Sequence, residues 1–116
     1  MSTYKASITW KRNNQKFIDN RYSRAHSWQF DGGIVVPASS SPQVVPVPYS
    51  VLEAVDPEEA FLASLSSCHM LWFLNIAAQE KFTVDEYRDD TEAAMEEDKY
   101  GKLAITRVIL RPIVTY

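Results

Sequence analysis

The sequence predicts a mixed fold, one long helix set among strands, and three observations carry that expectation. Residues Tyr4 to Trp10 alternate as a strand does, Asp56 to Gln79 opens as a helix does and stays apolar through most of its length, and Lys102 to Tyr116 is rich in β-branched and bulky residues. No internal repeat divides the chain.

The first segment places Tyr4, Ala6, Ile8 and Trp10 on one side and Lys5, Ser7 and Thr9 on the other, the period of two expected of a strand with one covered face. Lys11 to Gln15, with paired asparagines, reads as a turn. A second alternation between Phe17 and Asp31 puts Arg24, His26, Trp28 and Phe30 on a common face, a mixture of guanidinium, imidazole and large rings. An amphipathic strand with Arg24 at its wet end is the plain explanation; lining a site is the other. Asp31-Gly32-Gly33 marks a tight turn before the apolar run Ile34 to Val36.

Pro37 to Ser50 carries four prolines, which deny it a helix interior or a central strand. With Val44, Val45, Val47 and Tyr49 it is too apolar for a solvated linker. It is expected to be an ordered loop lying against the fold, a candidate wall of a ligand groove.

Asp56 suits the N-cap of the long helix, Pro57 the first helical position, and Glu58 and Glu59 the positive end of the helix dipole. The apolar positions that follow, Phe61, Leu62, Leu65, Met70, Leu71, Trp72, Phe73, Leu74 and Ile76, are spread too widely for a single stripe. Such a helix requires cover on several sides, and in a chain of 116 residues that points to a dimer or larger assembly. Beyond it, Glu92 to Glu97 has the propensity of a short helix, although the Asp98-Lys99-Tyr100-Gly101 turn permits a hairpin with the strand that follows. In that strand Arg107 and Arg111 would share a face with Ile105, Ile109 and Ile113.

Hydrophobic residues make up 46 % of the chain, enough for one compact domain. Twelve basic residues against fifteen acidic, with no basic stripe, argue against nucleic acid as a partner. A single cysteine excludes an internal disulfide framework, and neither an apolar leader nor eighteen consecutive apolar residues is present. The expectation is a soluble, cytoplasmic protein with no membrane partner.

Cys68 lies inside the long helix, on an apolar flank with Leu65 and Trp72. Read plainly it is a small buried hydrophobe. As a nucleophile it must be a thiolate, and it sits twelve residues beyond Asp56, too far for the helix N-terminus to help. A separate cation is needed: Arg24 is the first candidate and Arg21 the reserve, since a guanidinium both stabilises the thiolate and holds an oxygen ligand through its fork of donors. His69 points a quarter-turn away from Cys68, and neither it nor His26 has the spacing of a metal ligand, so both read as structural hydrogen-bonders. No metal or cofactor is implied. Glu58 lies ten residues before Cys68, about 15 Å along a straight helix, out of direct reach. It stabilises the first turn, or it acts through an arginine or across a subunit boundary.

The phrases YSRAHSWQFDGG, VPASSSP, VDPEEAFLASLSSCHMLWFL and YGKLAITRVILRP together resemble the OsmC/Ohr family, and its OsmC-like branch more than Ohr itself. The resemblance runs from the first strand to Tyr116 and is most specific around Cys68. It implies an α+β fold, with long central helices between antiparallel sheets in an intertwined homodimer, and strand rather than helix near Glu92. It also implies a thiol-dependent peroxidase, antioxidant in effect, that reduces organic hydroperoxides with a thiol or dithiol reductant. On that resemblance Cys68 is the peroxidatic cysteine, Arg24 the activating arginine with Arg21 as its rival, and Glu58 the carboxylate that orients the arginine. Trp28, Phe30, Val44, Val45 and Phe61 are candidate walls for the substrate. The family's resolving cysteine, in a later helix, has no counterpart here, so residues 1–116 are expected to be one OsmC-like domain lacking its C-terminal part. The competing expectation is an OsmC-like scaffold that binds a small apolar or acidic ligand without turnover.

Overall fold

A computed structural model describes all 116 residues, which fall into two compact units, Met1–Pro57 and Glu58–Tyr116. The first unit contains a three-stranded antiparallel sheet of β1 (Ala6–Thr9), β2 (His26–Phe30) and β3 (Val35–Ala38), in that spatial order. β1 pairs with β2 so that Ile8 faces Trp28, and β2 pairs with β3 so that Trp28 faces Val36. All four residues of β1 are exposed, so the covered face expected of its alternation is not covered within this chain.

The turns follow the sequence closely. Asn13 and Asn14 both take positive φ, 53° and 63°, and the amide of Gln15 donates to Arg12 O, closing a tight turn that asparagine tolerates well. Gly33, at φ 100°, turns β2 into β3, with its N–H on Phe30 O. Pro37 lies inside β3 rather than in the loop beyond it; β3 is an edge strand, where the missing N–H is tolerated.

The proline-rich segment is ordered, and Ser39 organises it. Ser39 is completely buried, donates its N–H to Val55 O, and accepts the Val51 N–H at its Oγ, 2.9 Å away. Val55 in turn donates to Pro37 O, so the segment folds back onto the end of β3.

All of α1 (Pro57–Gln79) but its first residue belongs to the second unit; the buried Asp56 precedes it at the N-cap position, and Glu58 and Glu59 lie in its first turn. Two separate antiparallel ladders follow: β4 (Glu86–Asp89) with β7 (Pro112–Thr115), and β5 (Glu92–Glu97) with β6 (Leu103–Ile109). The single C-terminal strand expected from composition is thus two, parted at Leu110 and Arg111. The helical propensity of Glu92–Glu97 is overridden. The segment pairs antiparallel with β6, with a bulge at Ala94/Met95 and a turn in which Asp98 accepts the N–H groups of Tyr100 and Lys102 and Gly101 takes φ 75°.

Apolar burial is sparse. Only Ala38 and Ala77 count as buried hydrophobic residues, while α1 leaves Phe61, Leu65, Leu71, Trp72, Phe73 and Ile76 exposed. α1 is also long and apolar enough, by length and composition, to cross a membrane. Serines, a histidine and an asparagine break its apolar run, so no eighteen consecutive residues are apolar.

Candidate functional site

Within the second unit, one side of α1 is fastened to β4. Ser66 Oγ donates to Asp89 Oδ2 at 2.6 Å, His69 Nδ1 lies 3.1 Å from the Tyr87 hydroxyl, and the Phe73 ring tilts against Tyr87 at a 5.6 Å centroid distance. Asp89 uses its other oxygen to accept the Arg111 N–H at 2.6 Å, so one carboxylate joins the helix to the break between β6 and β7. Burial, and after it the negative charge of Asp89, raise the Tyr87 phenol above its ordinary 10.0.

Ser66, His69 and Phe73 mark the attached side of the helix, and Cys68 lies about half a turn round from it, with Phe61, Leu65 and Trp72. Cys68 is a free thiol and exposed, which excludes the plain reading of a buried hydrophobe within this chain. Its neighbours on that side are exposed too: Trp72 keeps 69 % of its surface and Leu71 59 %. Glu58 is only partly exposed, and its Oε2 is buried without a hydrogen-bond partner, a state that costs free energy for a carboxylate. Ten residues of helix separate it from Cys68, and the structure does not bring the two side chains together.

The first unit distinguishes the two candidate arginines. Arg21 is exposed, and its backbone N–H is bound by Asp19 Oδ1. Arg24 precedes β2 instead of lying within it, which corrects its expected place on the strand face. It is held at each of its polar ends. Its N–H donates to Tyr49 O at 2.7 Å and its carbonyl lies 2.7 Å from His26 Nδ1. Its Nη1 donates to the carbonyls of Asn20 and Tyr22, and its Nη2 to Asn20 Oδ1. The guanidinium also lies over the Tyr22 ring, 3.7 Å from its centroid. His26 bridges onward to Trp28, whose indole N–H donates to His26 Nε2 at 3.1 Å, so the neutral imidazole carries its proton on Nδ1. Both histidines act as hydrogen-bonders, in agreement with their sequence reading.

Of the proposed wall residues, Trp28 and Val45 are half-buried, while Phe30, Val44 and Phe61 are exposed. An apolar recess of about 340 Å³ lies elsewhere, at the C-terminal end of α1, lined by Phe73, Ile76, Ala77, Glu80, Phe82, Val84 and Tyr116. Sequence reasoning missed Asn20, Tyr22, Ser39 and Asp89. Asn20 carried a signal in hindsight, since an asparagine just before an arginine-bearing segment suits the left-handed backbone it adopts at φ 65°.

The OsmC-like protein family profile matches residues 52–116, which include the whole of α1 and Cys68. Among solved structures, an OsmC-like protein of unknown function from Vibrio cholerae O1 biovar eltor is 53 % identical and superposes with a TM-score of 0.95, covering 99 % of this chain and 75 % of its own. A comparison with curated proteins gives no match. The chain belongs to the OsmC-like family, and its α+β arrangement of antiparallel strands and one long helix is that family's fold.

Proposed function

We propose that this protein is a thiol-dependent peroxidase that reduces organic hydroperoxides at Cys68. The observation that carries the reading is the placement of the chain's single cysteine: solvent-accessible, and set among exposed apolar side chains of the family's helix. A peroxide with an alkyl tail needs both an open sulfur and apolar surface beside it.

In the proposed reaction the Cys68 thiolate attacks the distal oxygen of ROOH. The S–O bond forms as the O–O bond breaks, sulfur is oxidised by two electrons, and the departing alkoxide takes a proton and leaves as ROH. Arg24 stabilises the thiolate and the negative charge moving onto oxygen, and Glu58 orients Arg24. The buried, unpartnered Oε2 of Glu58 supports a cationic partner for it, and the fixed guanidinium of Arg24 makes it a better choice than Arg21. Trp28, Phe30, Val44, Val45 and Phe61 contribute apolar walls in a homodimer whose two copies cover the exposed side of α1.

Cys68 is the one thiol among residues 1–116, so the sulfenic acid formed there is resolved by a thiol from outside these residues: it forms a mixed disulfide and water, and a further thiol releases Cys68. The test follows loss of cumene hydroperoxide with excess dithiol. Wild-type protein should consume at least one equivalent per chain and Cys68→Ser none; equal consumption by both refutes the reading.

A second reading, binding of a small apolar ligand without turnover, is favoured by the recess at the end of α1. It predicts that Cys68→Ser retains ligand binding while wild-type protein leaves the hydroperoxide intact.

A further inference from the structure

We infer that Asn20 and Tyr22 form a clamp that positions Arg24 for chemistry at Cys68; this rests on the peroxidase reading above. A guanidinium offers five N–H donors, and in a flexible side chain their direction is free. Here three of the five are occupied by one short stretch of chain: both Nη1 donors by the carbonyls of Asn20 and Tyr22, and one Nη2 donor by Asn20 Oδ1. The Nε–H and the second Nη2–H remain, on neighbouring nitrogens, where they suit two oxygens of one ligand.

The stretch that supplies the clamp is itself braced. Tyr22 stacks on Phe17 at 4.7 Å and meets Trp10 edge-on at 5.5 Å, while the Trp10 indole N–H donates to Ser23 O and Gln15 Oε1 accepts the Ser23 N–H. Asn20 holds its left-handed backbone with its N–H on Phe17 O. A two-point attachment to Asn20, a third to the Tyr22 carbonyl and a ring beneath the plane fix both the tilt and the rotation of the Arg24 head. Arg21, which lacks such a seat, is not held in this way. Asn20 and Tyr22 are therefore positioning residues: they act on the reaction through Arg24.

The experiment measures the rate at which one equivalent of cumene hydroperoxide removes the titratable thiol of the full chain. Arg24→Met sets the scale, expected to be slower than wild type by about a hundredfold. Asn20→Gly accepts the same backbone without strain and removes the Oδ1 acceptor; it is expected to be slower by about tenfold. Asn20→Asp tolerates the backbone and restores the acceptor as a carboxylate, and should return the rate to within about twofold of wild type. Tyr22→Leu removes the ring and should fall with Asn20→Gly. Because it also disturbs the aromatic cluster, Trp10 emission and the unfolding midpoint are recorded alongside. Wild-type rates in Asn20→Gly with a slow Arg24→Met overturn the clamp alone. Failure of Asn20→Asp to recover shows a loop defect instead of a lost acceptor, and also overturns it. A wild-type rate in Arg24→Met overturns the clamp and the role of Arg24 but leaves the peroxidase reading, which fails only when Cys68→Ser consumes the hydroperoxide as wild type does.

Discussion

At the residue scale the second unit depends on two side chains that anchor α1 to β4. Tyr87 holds its proton more tightly when folded, since burial and the Asp89 charge both raise the phenol above 10.0. Deprotonation is thus easier in the unfolded chain, so the associated stability is whole below about pH 10 and is lost as pH rises through the folded value. Tyr87→Phe keeps the ring against Phe73 and removes the titrating group. Its melting temperature should fall less steeply than that of wild type between about pH 9 and pH 11, although it starts lower at neutral pH by the loss of one hydrogen bond, about 1 kcal/mol. Equal slopes in the two proteins would remove Tyr87 from the account. Asp89 carries more, because its two oxygens serve two different elements. Asp89→Ala should cost about 2 kcal/mol in urea unfolding, and Asp89→Asn less, since the amide retains one acceptor. A loss within about 0.5 kcal/mol for the alanine variant would mean that solvent replaces both bonds.

At the element scale α1 was the most legible part of the sequence. Asp56, Pro57 and the two glutamates each favour a helix start by a separate mechanism, and the helix begins where they agree. Asp56→Ala is expected to cost about 1 kcal/mol, while Asp56→Ser or Asp56→Asn should be nearly neutral, as measured by thermal unfolding. The strands were legible where alternation and turn chemistry coincide, as at Asn13-Asn14 and Asp98–Gly101. They were not legible at Glu92–Glu97, whose local preference is helical and whose strand state depends on pairing with β6, a contact between residues that propensity does not relate. The candidate site divides in the same way. Cys68 and Arg24 declare themselves by side-chain chemistry, whereas Asn20, Ser39 and Asp89 act through hydrogen bonds to distant or backbone atoms that no spacing rule reveals.

At the scale of the whole molecule the decisive quantity is apolar surface. Helix α1 turns its polar anchors toward β4 and leaves Phe61, Leu65, Leu71 and Trp72 in water, a contiguous stripe of the kind that marks an interaction surface. Two kinds of cover are physically distinct. Lipid would surround the helix on all sides, yet one side of α1 is held to a polar strand through Asp89 and Tyr87, and its first turn carries Glu58 and Glu59. A second copy of the chain would cover only the free side, which matches the division of the helix into an attached and an unattached half. The expected outcome is a homodimer by sedimentation, with no partition into vesicles. Trp72→Asp, which places a charge in the middle of the stripe, should shift the sedimenting species to a monomer at micromolar concentration. The same variant should lower the unfolding midpoint, because folding and association are linked when each chain buries so little by itself. A wild-type chain that sediments as a stable monomer, or that floats with vesicles, would remove the homodimer from the proposed mechanism and with it the shared apolar wall around Cys68.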